Sequence, residues 1–99
     1  MQKDELIPLE VFCTRCSVEA TFVRALEDSG LIEVVTVAES AFIRQTALPE
    51  LEKLSRLHYD LDINLEGVEA ISHLLQRVRY LQEEITALRN KLRMYEGED

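Results

Sequence analysis

Hydrophobic positions along this chain change spacing from segment to segment, and each change predicts an element. Over residues 8–15, Leu9, Phe12 and Cys13 recur at i, i+3, i+4, the spacing of one helical face. Pro8 suits the first turn of that helix, where its missing N–H costs nothing. A second helix is predicted to be N-capped by Ser17 and to run to about Ser29, with Val18, Phe22, Ala25 and Leu26 facing inward and Gly30 as a left-handed stop. Two helices so close together make a helix-turn-helix.

Over residues 31–43 the helical spacing is lost. Val34, Val35, Thr36 and Val37 precede the break Ala38-Glu39-Ser40, and Phe42 and Ile43 follow it. This β-branched enrichment around a small polar break predicts a short hairpin, or wing. No Asn-Gly or Asp-Gly is present to fix its register. A third helix is predicted to be capped by Thr46, with Pro49 in its first turn, Leu51, Leu54, Leu57, His58 and Leu61 as its buried side, and an end near residues 60–62. Asn64 then suits the N-cap of the last helix, with Glu66 in the first turn and Ile63 and Val68 at hydrophobic-staple positions.

Beyond that start the spacing becomes seven. Ile71, Val78, Ile85 and Leu92 fall at heptad position a, and Leu74, Leu81, Leu88 and Tyr95 at d. No helix breaker interrupts residues 68–96, so the pattern predicts one helix over residues 65–95, roughly 46 Å long at about 1.5 Å per residue. Leu75 widens the stripe near its start. A seam this apolar needs cover, and a second copy of the chain is the expected cover. In a parallel pair Glu84 would face Arg89 and Lys91 would face Glu96, both favourable, which leaves orientation open. The fold class expected is mainly α: a winged helix-turn-helix head with a small β-hairpin wing at residues 1–67, a coiled-coil dimerisation helix at 68–96 that continues the last helix of the head, and a tail at 97–99.

Charge narrows the partners. Residues 1–67 hold thirteen Asp/Glu against six Lys/Arg, net −7, whereas residues 68–99 hold six against five, net −1. A head of this sign repels a phosphate backbone, so nucleic acid is not an expected partner and a basic protein is. Residues 1–5 are polar and no apolar run reaches signal or membrane-spanning length, which predicts a cytoplasmic protein without membrane association.

The candidate chemistry is thin. Cys13-Thr14-Arg15-Cys16 has C-x-x-C spacing, but there is no second cysteine pair to complete a zinc site and no thioredoxin-like context for redox work. Cys13 reads as a core residue. His58 and His73 belong to no catalytic or metal-binding pattern, His73 falls at heptad position c, and the three glycines at 30, 67 and 97 are too scattered to cradle a phosphate. Nineteen carboxylates in a chain with so small a head read as surface and not as an acid–base pair in a cleft. No catalytic residue, cofactor or metal is expected. Arg77, Arg79, Arg89 and Arg93 read as solubilising charges on the last helix.

Arg24, Glu27, Gly30 and Leu31 stand in an R-x-x-E-x-x-G-L pattern, and with the helix-turn-helix, wing and long terminal helix the chain resembles MerR-type regulators. It resembles further the divergent branch of CbpM-like chaperone modulators, over almost its whole length. The carriers are Leu6-Ile7-Pro8-Leu9-Glu10 with Phe12-Cys13, Asp28-Ser29-Gly30-Leu31-Ile32, and above all Arg56-Leu57-His58-Tyr59-Asp60-Leu61-Asp62-Ile63-Asn64-Leu65-Glu66-Gly67-Val68.

The chain departs from DNA-binding MerR-type proteins at Thr21, Ala25, Leu26 and Asp28, where those proteins are basic or tyrosine-bearing. Residues 17–44 hold five acids and two arginines, few for a DNA reader. The CbpM-like resemblance implies binding to the J-domain of a DnaJ-like co-chaperone, blocking the basic surface it presents to Hsp70, in an antiparallel coiled-coil dimer. On that reading Glu19, Glu27, Asp28 and Glu39, with Phe42 as apolar anchor, form the contact surface. The competing reading is a MerR-type DNA-binding transcriptional regulator.

Overall fold

A computed structural model of the chain describes residues 5–97. The polar residues 1–4 and the last two residues of the expected tail lie outside the described residues. The element order is β1 (Leu6–Pro8), α1 (Leu9–Cys16), α2 (Ala20–Asp28), β2 (Val35–Val37), β3 (Ser40–Arg44), α3 (Leu48–Ser55) and α4 (Leu65–Tyr95). This is the winged helix-turn-helix with a long terminal helix that the spacing predicts. Among the described residues no helix is long and apolar enough to cross a membrane. The chain divides into two compact units, Met1–Glu69 and Ala70–Asp99.

The first unit is organised around one core, to which the helices and β3 contribute according to their spacing. Leu9 and Phe12 come from α1, Phe22, Val23 and Leu26 from α2, Ile43 from β3, Leu51 and Leu54 from α3, and Val68 from the start of α4. Val18, Ile32 and Val34 enter from the connecting segments. Leu26, Val23, Ile43, Leu51, Leu54 and Val68 are fully buried, and burial of each such side chain stabilises by about 1.5–3 kcal/mol.

The helix ends explain where prediction and structure part. Ser17, expected to cap α2, instead closes α1 in the left-handed conformation (φ 55°), with Val18 N–H donating to the Cys13 carbonyl at 3.0 Å. The short link between α1 and α2 has to reverse the chain, and a left-handed residue does so at once. α2 therefore starts at Ala20, two residues later than a cap at Ser17 would place it. Its far end is a Schellman motif: Gly30 (φ 80°) donates to Glu27 and Leu31 donates to Leu26, each at 3.0 Å. Ala25 is only half-buried, whereas Val23 is fully buried.

Thr46 does not cap α3. It lies in a 3-10 turn, Gln45–Ala47, and the helix begins at Leu48 because Pro49 takes one of its first two positions. At the C-terminal end of α3 the buried Ser55 hydroxyl donates to the Leu51 carbonyl at 2.8 Å. The helix then widens into a π-turn, Arg56–Asp60, closed by Leu61 N–H to the Arg56 carbonyl at 3.1 Å. The extra residue of this turn shifts the register, so Leu61, expected on the buried side, is 63% exposed.

A strand not anticipated from the sequence, β1, pairs antiparallel with β3 (Leu6 with Arg44, Ile7 with Ile43, Pro8 with Phe42), giving the order β1-β3-β2. Pro8 is tolerated because β1 is an edge strand and needs no donor on its open side. α4 starts as its cap residue dictates: Asn64 Oδ1 accepts from Gly67 N–H at 2.8 Å. In the second unit, the seam positions from Val78 to Tyr95 are 47% to 89% exposed along the uninterrupted helix.

Candidate partner interface

The face to be tested is the one that a winged helix-turn-helix presents: the start of α2 and the hairpin. β2 and β3 pair in the register Val35 with Phe42, Thr36 with Ala41 and Val37 with Ser40, leaving Ala38 and Glu39 as a two-residue turn. Both have positive φ, 50° and 68°, the geometry of a type I′ turn built without glycine or asparagine. The turn places Glu39, exposed to solvent, at the hairpin tip.

Phe42 leaves this hairpin on the side of the helix starts. With Pro8, Leu9, Glu10, Ala20 and Ala41 it lines a cleft of about 410 Å³. The structure thus brings the predicted anchor Phe42 together with the first residue of α2, whose preceding residue is Glu19, and with the strand that begins just after Glu39. Glu27 and Asp28 lie at the opposite end of α2, eight or so residues and about 12 Å along the helix. The predicted surface is therefore two patches. Glu10 is a cleft residue that the sequence reading missed; its position in the first turn of α1 gave no sign that it faces the hairpin.

The charges on this face are paired in a way that decides its sign. Arg24 donates to Glu27 at 3.0 Å, an i, i+3 pair that accounts physically for the R-x-x-E spacing, and Gly30-Leu31 supplies the helix stop that follows it. Arg44 Nε lies 3.5 Å from Glu33. Both arginines of residues 17–44 are thus held by carboxylates, while Glu19, Asp28 and Glu39 remain as exposed acids. Glu19 also anchors the face to the rest of the head, since its backbone N–H donates to the Tyr59 hydroxyl at 3.0 Å. Tyr59 packs edge-on against Phe22, with ring centres 5.3 Å apart. His58 stacks on Phe22 at 4.6 Å, and its Nδ1 lies 2.7 Å from the Ile63 carbonyl. A carbonyl only accepts, so Nδ1 carries the proton and the ring serves as packing.

Neither thiol is part of this cleft. Cys13 is half-buried against the core and Cys16 is exposed, and both are free. Burial pushes the Cys13 thiol up, and the neighbouring Cys16 adds to the shift. Among the described residues no group of three or more His, Cys, Asp or Glu is placed to hold a metal ion.

A family model described as MerR HTH family regulatory protein matches residues 7–90, from β1 to within the last turns of α4. No curated protein and no solved structure matches the chain.

Proposed function

The chain belongs to the MerR helix-turn-helix family of regulatory proteins, and from that premise we propose that it is a non-enzymatic, protein-binding modulator of a DnaJ-like co-chaperone, occluding the J-domain surface that engages Hsp70. The observation that carries this reading is the neutralisation of Arg24 and Arg44 by Glu27 and Glu33. DNA binding draws its affinity from cations directed at phosphates, and here the helix and wing that would reach DNA offer exposed carboxylates instead. A basic protein surface fits this face in sign, and Phe42 in its cleft supplies an apolar anchor of the kind that dominates interface energetics. The CbpM-like resemblance of residues 56–68 points the same way.

The proposal takes the working form to be a homodimer joined through Ile71, Leu74, Val78, Leu81, Ile85, Leu88, Leu92 and Tyr95; all of these but the half-buried Ile71 are exposed along an unbroken helix, which calls for a covering partner. Family membership also favours a second reading, a DNA-binding transcriptional regulator. Two titrations separate them. Calorimetry with a cognate J-domain should give saturable binding that weakens as salt rises, and a Glu19→Lys/Glu39→Lys variant should bind at least about tenfold more weakly. Mobility-shift assays with duplex DNA at near-physiological salt should show no complex. A DNA complex together with no J-domain binding would reverse the assignment.

A further inference from the structure

A second cleft, of about 200 Å³, opens in the head between the C-terminal half of α1 and the π-turn that follows α3, and it shares no residue with the Phe42 cleft. Its floor is the buried side chains of Phe12 and Val18, with the exposed Tyr59 beside them. Glu52, Arg56 and Asp60 complete the lining, spaced four residues apart along α3 and the π-turn. Among the described residues none of these three makes an ion pair.

Size, shape and charge together select an occupant. The volume falls below the roughly 300–1,000 Å³ of small-molecule sites and suits one long side chain. An apolar floor beside a tyrosine ring accepts an aliphatic stem and faces a cation favourably. Two carboxylates outnumber one guanidinium, in a head with thirteen acids and six bases, so the field draws a cation and excludes an anion. The π-turn, an irregularity found frequently at functional sites, carries Arg56, Tyr59 and Asp60.

We propose that this cleft is a docking pocket for a lysine or arginine side chain of a partner protein, its stem on Phe12, Val18 and Tyr59 and its charge between Glu52 and Asp60. The proposal deepens the protein-binding reading by giving a basic partner a second foothold. Arg56 is the one like charge in the lining and opposes the incoming cation. Tyr59 joins the two clefts, because its hydroxyl holds the Glu19 N–H where α2 begins.

The test needs no identified partner. Isotope-labelled full-length chain is titrated by NMR with the blocked amino acids N-acetyl-arginine and N-acetyl-lysine methylamide, with the norleucine and glutamate analogues as neutral and anionic controls. The cationic probes should shift the Cys16, Glu52 and Tyr59 amides saturably. Glu52→Gln/Asp60→Asn should weaken them about fivefold or more, and Arg56→Gln should tighten them about twofold. A merely apolar dent would bind norleucine as well as lysine, and an anion site would prefer glutamate; either result, or no saturable shift, overturns the pocket.

A J-domain titration of the same variants keeps the two readings separable. Probe binding without J-domain binding supports the pocket and overturns the co-chaperone reading. Undiminished J-domain binding by Glu52→Gln/Asp60→Asn overturns the pocket as a foothold for that partner.

Discussion

The hairpin tip offers a direct test of the backbone geometry. Ala38 and Glu39 both occupy the left-handed region, which costs an L-residue about 1–2 kcal/mol, so the turn holds roughly 2–4 kcal/mol of strain. The β2–β3 ladder and the burial of Ile43 offset it. Replacing the pair by Asn-Gly, the residues this turn type prefers, should release most of that strain. The introduced glycine would return about 0.5–1 kcal/mol through its greater freedom in the unfolded chain. A net gain of about 1–2 kcal/mol remains for Ala38→Asn/Glu39→Gly, which for a head of this size corresponds to a midpoint raised by about 4–16 °C. Thermal unfolding by circular dichroism checks it at one fixed protein concentration, because self-association would make the midpoint concentration-dependent. Ala38→Val, which puts a β-branched residue at positive φ, should move the midpoint the other way. An unchanged or lowered midpoint for the Asn-Gly variant would refute the strained-turn argument.

Gly67→Ala should destabilise the head by about 1 kcal/mol despite alanine's better helix propensity, because the new Cβ would lie 2.6 Å from Ile63 Cγ2 and 3.1 Å from Asn64 Oδ1; denaturant unfolding measures it. Asn64→Ala, which removes only the cap, should cost about 1 kcal/mol in the same assay. Cys16 should be alkylated by iodoacetamide well before Cys13 at pH 8, since the raised Cys13 pKa leaves less thiolate at any pH below it; peptide mapping reads the order, and equal rates would contradict it. Ile85→Asp at the seam centre should convert dimer to monomer in sedimentation equilibrium while leaving the spectrum of the head intact, whereas a wild type already monomeric at high concentration would remove the dimer from the proposal.

The long helix was readable because its two ends and its period are local facts: Asn64 is three residues before the amide it caps, and the heptads run unbroken to Tyr95. The hairpin was readable from its β-branched run, although its turn uses residues that no turn signal marks. β1 was not, because three residues ending in proline become a strand only by pairing with β3, more than thirty residues away. The π-turn was equally hidden, since an extra residue in a helix has no composition of its own, and Leu61 was misplaced for that reason. In the candidate site, Phe42 is legible as a large apolar residue two positions beyond the polar break of the wing. Glu27, an expected contact, is bonded to Arg24, and Glu10 joins the cleft because the fold brings α1 to the hairpin, which no local spacing marks.

The π-turn also sets which changes of chain length the head can absorb. Deleting one residue within Arg56–Asp60 would restore a regular helical ladder and by local criteria improve it. Yet each residue of an α-helix turns about 100°, so the deletion would rotate the side chains that follow it by that angle. Depending on where it fell, His58 would leave Phe22, Tyr59 would release the Glu19 amide, or Ile63 would leave the cap of α4. Substitutions on the exposed side of this turn are therefore cheap and single-residue deletions are not, whereas the hairpin tip, held only by its own ladder, accepts insertions. The segment behaves as a spacer whose length is a specification of the head.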